Sequence, residues 1–76
     1  MSFDEFKQKV QSLFSYIGFE YNGYDCGIDP FSKNDFDMWY GDEYHKALSI
    51  DDVFSYPLFD GMSLTEIFDD IKNIDY

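Results

Sequence analysis

Apolar residues recur at helical spacing through the first seventeen positions of the chain. Phe3, Phe6, Val10, Leu13, Phe14 and Ile17 fall on one face, with Asp4, Lys7, Gln8 and Gln11 on the others. Ser2, followed three residues later by Glu5, is a capping box in which each side chain satisfies a backbone N–H left unpaired at a helix start. The pattern predicts an amphipathic helix over 3–17, with Gly18 as its left-handed terminus.

From 19 to 48 the period shortens toward two. The clearest strand runs over 35–40, where Phe36, Met38 and Tyr40 face one way and Asp35, Asp37 and Trp39 the other. Residues from Phe19 to Tyr24 or beyond supply a partner strand, and 43–48, after the Gly41-Asp42 turn, a third. Asn22-Gly23, Gly27 and Asp29-Pro30 punctuate the region as turn signals. Asn22-Gly23 can also close a tight hairpin of its own, so the pattern leaves the register open.

Helical spacing returns at Ser49. Ile50, Val53 and Phe54 share one face of a short helix whose first turn holds Asp51 and Asp52 and which Pro57 ends. After a turn at Asp60-Gly61, Ser63 and Glu66 repeat the capping box, and Leu64, Ile67, Phe68 and Ile71 predict a last amphipathic helix. The expected architecture is α+β: a small two- to three-stranded antiparallel sheet, with an N-terminal amphipathic helix and two C-terminal helices packed on one face. One domain over 1–76 suits this length. The other sheet face is then at least partly open to water. The carboxylates of the 35–40 strand select the row that faces out, which puts Trp39 beside Asp35 and Asp37.

Composition explains how such a chain folds. Sixteen acidic residues against five lysines give a net charge of −11, and acidic chains are normally short of aromatics and disordered; here nine Phe, seven Tyr and one Trp supply the missing apolar surface. Area scaling for this mass gives roughly 8,000 Å² buried on folding, of which the rings account for about a third to a half.

The charge also selects partners. A strongly negative surface is repelled by nucleic acid and anionic lipid, which argues against direct binding to either and points to a basic protein partner. Inhibition of that partner is one outcome, and imitation of DNA its extreme form. A single cysteine excludes an intramolecular disulfide, so the expected compartment is the cytoplasm. Residues 1–18 do not read as a secretory leader, and no stretch approaches the roughly 18 apolar residues of a membrane span.

Candidate chemistry is sparse. Cys26 and His45 are the one thiol and the one imidazole, and Asp42 or Glu43 is near enough in sequence to orient the histidine. No family-type signature surrounds them, and Cys26 follows Asp25 in an acidic chain that disfavours a thiolate. The plain expectation is a small buried hydrophobe at Cys26 and a surface strand residue at His45. A calcium-loop count from Asp35 meets Trp39 at position five and Lys46 at twelve, and a count from Asp25 meets Gly27 at three; both fail. A non-standard divalent-ion site around Asp25, Asp29, Asp35 and Asp37 is the remaining metal reading. Asp51-Asp52 and Asp69-Asp70 read as solvated helix charges. Phosphate-binding glycine spacings and a zinc ligand set are absent from the sequence. The expectation is a protein without cofactor, metal or catalytic residues, and not an enzyme.

What remains is an acidic surface with rings set in it: Asp35, Asp37, Trp39, Asp42, Glu43 and Tyr44. Charge steers a basic partner to such a surface, and a desolvated Trp or Tyr anchors it. The competing expectation is that a loop or helix covers Trp39 and the acids only confer solubility. Self-association into a homodimer through the open face or a strand edge is the alternative function. A small enzyme with a cleft of tyrosines and acids is the third, against which stands the difficulty of enclosing a pocket in 76 residues.

Overall fold

The structure, a computed structural model, describes residues 1–13 and 15–75. Helix α1 (Phe3–Gln11) leads into strands β1 (Ile17–Tyr21), β2 (Tyr24–Ser32), β3 (Asp35–Tyr40) and β4 (Glu43–Ala47). Helices α2 (Ile50–Ser55) and α3 (Leu64–Ile67) follow, then a 3₁₀ turn (Phe68–Asp70) and strand β5 (Lys72–Asp75). The strands form one antiparallel sheet in the order β4-β3-β2-β1-β5, so the first four are a meander and β5 returns to the far edge beside β1.

The α+β class stands, but the expected two to three strands become five among the described residues. Two sequence signals account for the split of one expected strand into β1 and a long β2, and β5 follows where the last helix ends early. Asn22 and Gly23 take positive φ values of 54° and 79°, which is what a two-residue hairpin turn with right-handed strand twist requires, so Tyr21 pairs with Tyr24 and one expected strand becomes β1 and β2. Pro30, read as a turn, lies inside β2 opposite Phe36, at a point where β1 has already ended opposite Ile28. There β2 has a neighbour on one side, a position that tolerates a residue lacking an N–H.

Both outer helices are shorter than their patterns. Helix α1 stops at Gln11 rather than 17: Ser12 caps it with its hydroxyl on the Lys9 carbonyl at 2.6 Å, and Leu13 swings to a φ of 59°. Ile17 then belongs to the alternation Ile17, Phe19, Tyr21 that β1 buries, Gly18 is a strand residue, and Phe14 lies outside the described residues. Helix α3 keeps its capping box, with Ser63 Oγ accepting from the Glu66 N–H at 3.3 Å and Glu66 Oε1 from the Ser63 N–H at 2.9 Å. It tightens to a 3₁₀ turn at Phe68, and the chain leaves as β5 with Asn73 at a φ of 53°.

One core lies between the helices and one sheet face. Phe6 and Val10 from α1, Val53 and Phe54 from α2, and Leu64 and Ile67 from α3 pack on Ile17, Phe19, Ile28, Phe36 and Met38 of the sheet. The rings meet edge to face: Phe3 on Phe54 at 5.4 Å, Phe6 on Phe68 at 5.4 Å, Tyr40 on Phe59 at 5.7 Å. Such pairs add about 0.5–1.5 kcal/mol each beyond area burial. The folded surface is 4604 Å², near the roughly 4,900 Å² that area scaling gives for this mass. No helix among the described residues is long and apolar enough to cross a membrane.

Candidate binding face

Packing all helices on one side leaves the other face of the five strands without a helix on it among the described residues. Register sets its contents, because residues directly opposite on neighbouring strands share a face. One row runs Asp75, Gly18, Gly27, Trp39, Tyr44 from β5 to β4. The row on one side of it holds Glu20 and Asp25; the row on the other holds Asp29, Asp37 and Lys46.

Two glycines lie at the centre of this face, and a ring fills the side-chain place of one of them. A Cβ on Gly27 would lie 2.6 Å from Trp39 Cη2 and 2.7 Å from Cε2, so the indole occupies the volume a side chain would take. At Gly18 the space is open to a Cβ, which would meet Tyr16 Cε2 at an ordinary contact distance of 3.4 Å. A ring laid across a strand glycine restores the packing that the glycine lacks. Trp39 is therefore half-buried against its own sheet.

Of the sequence candidates, Asp35, Asp37, Trp39 and Tyr44 share this face. Glu43 alternates with Tyr44 and pairs with Tyr40, so it belongs to the helix-covered side at the β4 edge, and Asp42 sits in the β3–β4 turn. Sequence reasoning did not join Tyr16, Glu20, Phe31 and Asp75 to this face, and named Asp25 only as a candidate ion ligand, because it lacked the β1–β2 hairpin, β5 and their register. Tyr16, Phe31 and Tyr44 are exposed by 50–60 %.

Lys46 organises one end of the face. Its Nζ is 2.6 Å from Asp35 Oδ1 and 3.1 Å from Asp37 Oδ1, and it lies 5.7 Å from the Phe31 ring centroid. The Asp37 Oδ1 atom is shielded from solvent, so the ammonium supplies the charge that compensates it. The Tyr44 hydroxyl, donating to Asp37, and then Lys46 hold the Asp37 carboxyl below its ordinary range, while the two aspartates push the Lys46 ammonium up to about 12. The cation in this carboxylate cluster is thus a lysine of the chain itself.

Between Tyr16 and Trp39 lies a shallow groove of about 390 Å³, floored by Gly18 and edged by Glu20, Asp25, Asn73 and Asp75. Glu20 accepts a hydrogen bond from the Asn73 amide. No ion pair involves Asp25 or Asp75 among the described residues.

Cys26 and His45 do not form a dyad. Their strands are separated by β3, Cys26 aligning through Tyr40 with Glu43 and His45 lying two residues further along β4, so their Cα atoms are roughly 12 Å apart at ordinary strand spacing. Cys26 is buried and its thiol is pushed up to about 11, first by burial. His45 is tied to the α2 start, with Nε2 3.1 Å from Asp52 Oδ2 and its ring stacked on Tyr56 at 3.5 Å. Other carboxylates lie away from the open face, at Asp4 and Glu5 of α1, Asp51 of α2, and Asp69 and Asp70 of the 3₁₀ turn. No protein family, curated protein or solved structure matches the chain.

Proposed function

We propose that the protein is a cytoplasmic binding module, not an enzyme, whose uncovered sheet face engages a basic protein. The observation that carries this reading is the composition of that face: the rings of Tyr16, Phe31, Trp39 and Tyr44 are interleaved with Glu20, Asp25, Asp29, Asp35, Asp37 and Asp75. Rings give a partner desolvated anchoring area, and carboxylates select a cationic one and repel nucleic acid. A second copy of this chain is a poorer occupant, since it brings the same carboxylates to the interface. With charge also carried by the helices, the broader claim of a basic partner is better founded than imitation of duplex DNA.

The test is affinity capture from cytosolic extract at 20 and 150 mM salt, with the native chain and with a Phe31→Ala, Tyr44→Ala, Asp25→Lys variant, and identification of what is retained. Basic proteins held by the native chain at low salt, released as salt rises and lost in the variant are the expected outcome. Retention that ignores both salt and variant, or a dimer in sedimentation at high salt with nothing else retained, would refute the reading.

A further inference from the structure

The charge on the open face is unevenly compensated. At one end Lys46 sits between Asp35 and Asp37, with Phe31 beneath it. At the other end Glu20, Asp25 and Asp75 converge on the groove between Tyr16 and Trp39, and no ammonium is paired with them; Lys72, opposite Glu20 on β5, makes no ion pair among the described residues. The first end shows on this same sheet what satisfies such an arrangement: a cationic side chain held between carboxylates and near a ring.

We propose that the groove between Tyr16 and Trp39 receives an arginine side chain of the basic partner, its guanidinium held against the rings and hydrogen-bonded to Asp25 and its acidic neighbours. The proposal rests on the function proposed above and names the ligand group that this part of the face takes.

Three features select arginine. The groove is about 390 Å³ and open on one side, at the small end of the range for ligand pockets and suited to a side chain entering from a docked surface. Its lining includes the rings of Tyr16 and Trp39, and a guanidinium, being planar and weakly hydrated, stacks on rings more readily than an ammonium does. Its rim carries carboxylates, which a guanidinium meets through paired N–H donors in a fixed fork, whereas an ammonium meets them as a point charge. The Asn73 amide, donating to Glu20, fixes one carboxylate at the rim.

The experiment is a ¹⁵N chemical-shift titration at 20 mM salt with the peptide acetyl-Gly-Arg-Gly-amide, its lysine counterpart, and its neutral citrulline counterpart. The amides of Gly18 and Gly27 report the groove floor, and the indole N–H of the chain's one tryptophan reports its wall. The arginine peptide is expected to shift these three signals saturably and several-fold more tightly than the lysine peptide, with no saturable shift from citrulline. Asp25→Asn, at an exposed position, weakens it about two- to fivefold, the range of an exposed charge contact. Trp39→Leu weakens it by about the same factor or more. Equal responses to arginine and citrulline, or titrations unchanged in Asp25→Asn, overturn the proposal. Shifts centred on Phe31 and Tyr44 would overturn the groove while leaving the open face as the binding surface, and arginine shifts confined to α1–α3 overturn both.

Discussion

Replacing Gly27 by alanine tests how the open face is built. The backbone there is ordinary strand, so alanine brings no φ strain, and relief of glycine's unfolded-state entropy alone would stabilise by about 0.4–1 kcal/mol. Against that gain stands the indole. The new methyl carbon would sit 2.6 Å from Trp39 Cη2 and 2.7 Å from Cε2, at least 0.8 Å inside the ordinary 3.5 Å carbon contact. The ring must lift off the sheet and lose its packing, an overpacking cost of about 1–3 kcal/mol. The overpacking term wins, and for a chain of this length each kcal/mol lowers Tm by about 4–8 °C. The decisive assay is a double-mutant cycle by thermal and urea unfolding followed by circular dichroism: with Trp39→Ala as background nothing occupies the space, and Gly27→Ala should become neutral or stabilising. The coupling expected from the two halves is about 1–3 kcal/mol. Gly18→Ala is the control, since Tyr16 is already at ordinary contact distance from its Cβ position and the native chain should tolerate the change. Equal losses from Gly27→Ala in both backgrounds would refute the claim that the indole fills the glycine's place.

Other expectations follow from the same contacts. The Asp37 carboxyl is held low in the fold, so its contribution is fully present above the unfolded value of about 3.9 and is lost as pH falls through the lower folded value. Asp37→Asn should be less stable than the native chain at pH 6 and equal to it near pH 1.5 in urea titrations; a gap that persists in acid would contradict this. Cys26, buried with its thiol raised to about 11, should react with a disulfide reagent at pH 8 only through unfolding. Its labelling rate then rises with urea in parallel with global unfolding, and fast labelling in buffer is the contrary result. Ser63→Ala removes the α3 cap and should cost about 1 kcal/mol, measurable as a Tm lower by about 4–8 °C. An unchanged Tm would mean the cap is compensated by solvent.

The helix starts were legible because capping boxes are local: Ser2 with Glu5 and Ser63 with Glu66 both form as their spacing requires. The helix ends were not. Ile17 and Ile71 fit a helical stripe as well as their actual places, and what decides is strand pairing, of β1 with β2 at Ile17 and of β5 with the distant β1 just after Ile71, which a local period does not register. The same limit hid the site. Asp35, Asp37 and Trp39 were placed on one face by alternation within a single strand, and Tyr44 joins them across β4. Glu43 was misplaced by one residue of phase, since adjacent strand residues face opposite sides however alike their chemistry. Glu20, Asp25 and Asp75 could not be joined to Trp39 without knowing that Gly18 and Gly27 are neighbours.

That pair of glycines is the link between stability and recognition. A strand residue without a side chain weakens a sheet, and two abreast in adjacent strands would leave a bare strip of backbone in its centre. Trp39 and Tyr16 cover the strip, but each is anchored from its own side, so the rings meet the sheet without filling the space between them. The groove is what remains. Its acidic rim is then costly to the free protein, because Glu20, Asp25 and Asp75 repel one another and, among the described residues, no ammonium is ion-paired with them, Lys72 opposite Glu20 included. Where the same problem arises at the other end, Lys46 resolves it within the chain. A bound cation at the groove would relieve that repulsion, so the free protein should gain stability from neutralising the rim: Glu20→Gln with Asp25→Asn should raise Tm at low salt by more than it does at 0.5 M, where repulsion is screened. If the double variant is no more stable than the native chain at low salt, the rim is not under electrostatic strain and the argument for a partner's cation loses its energetic basis.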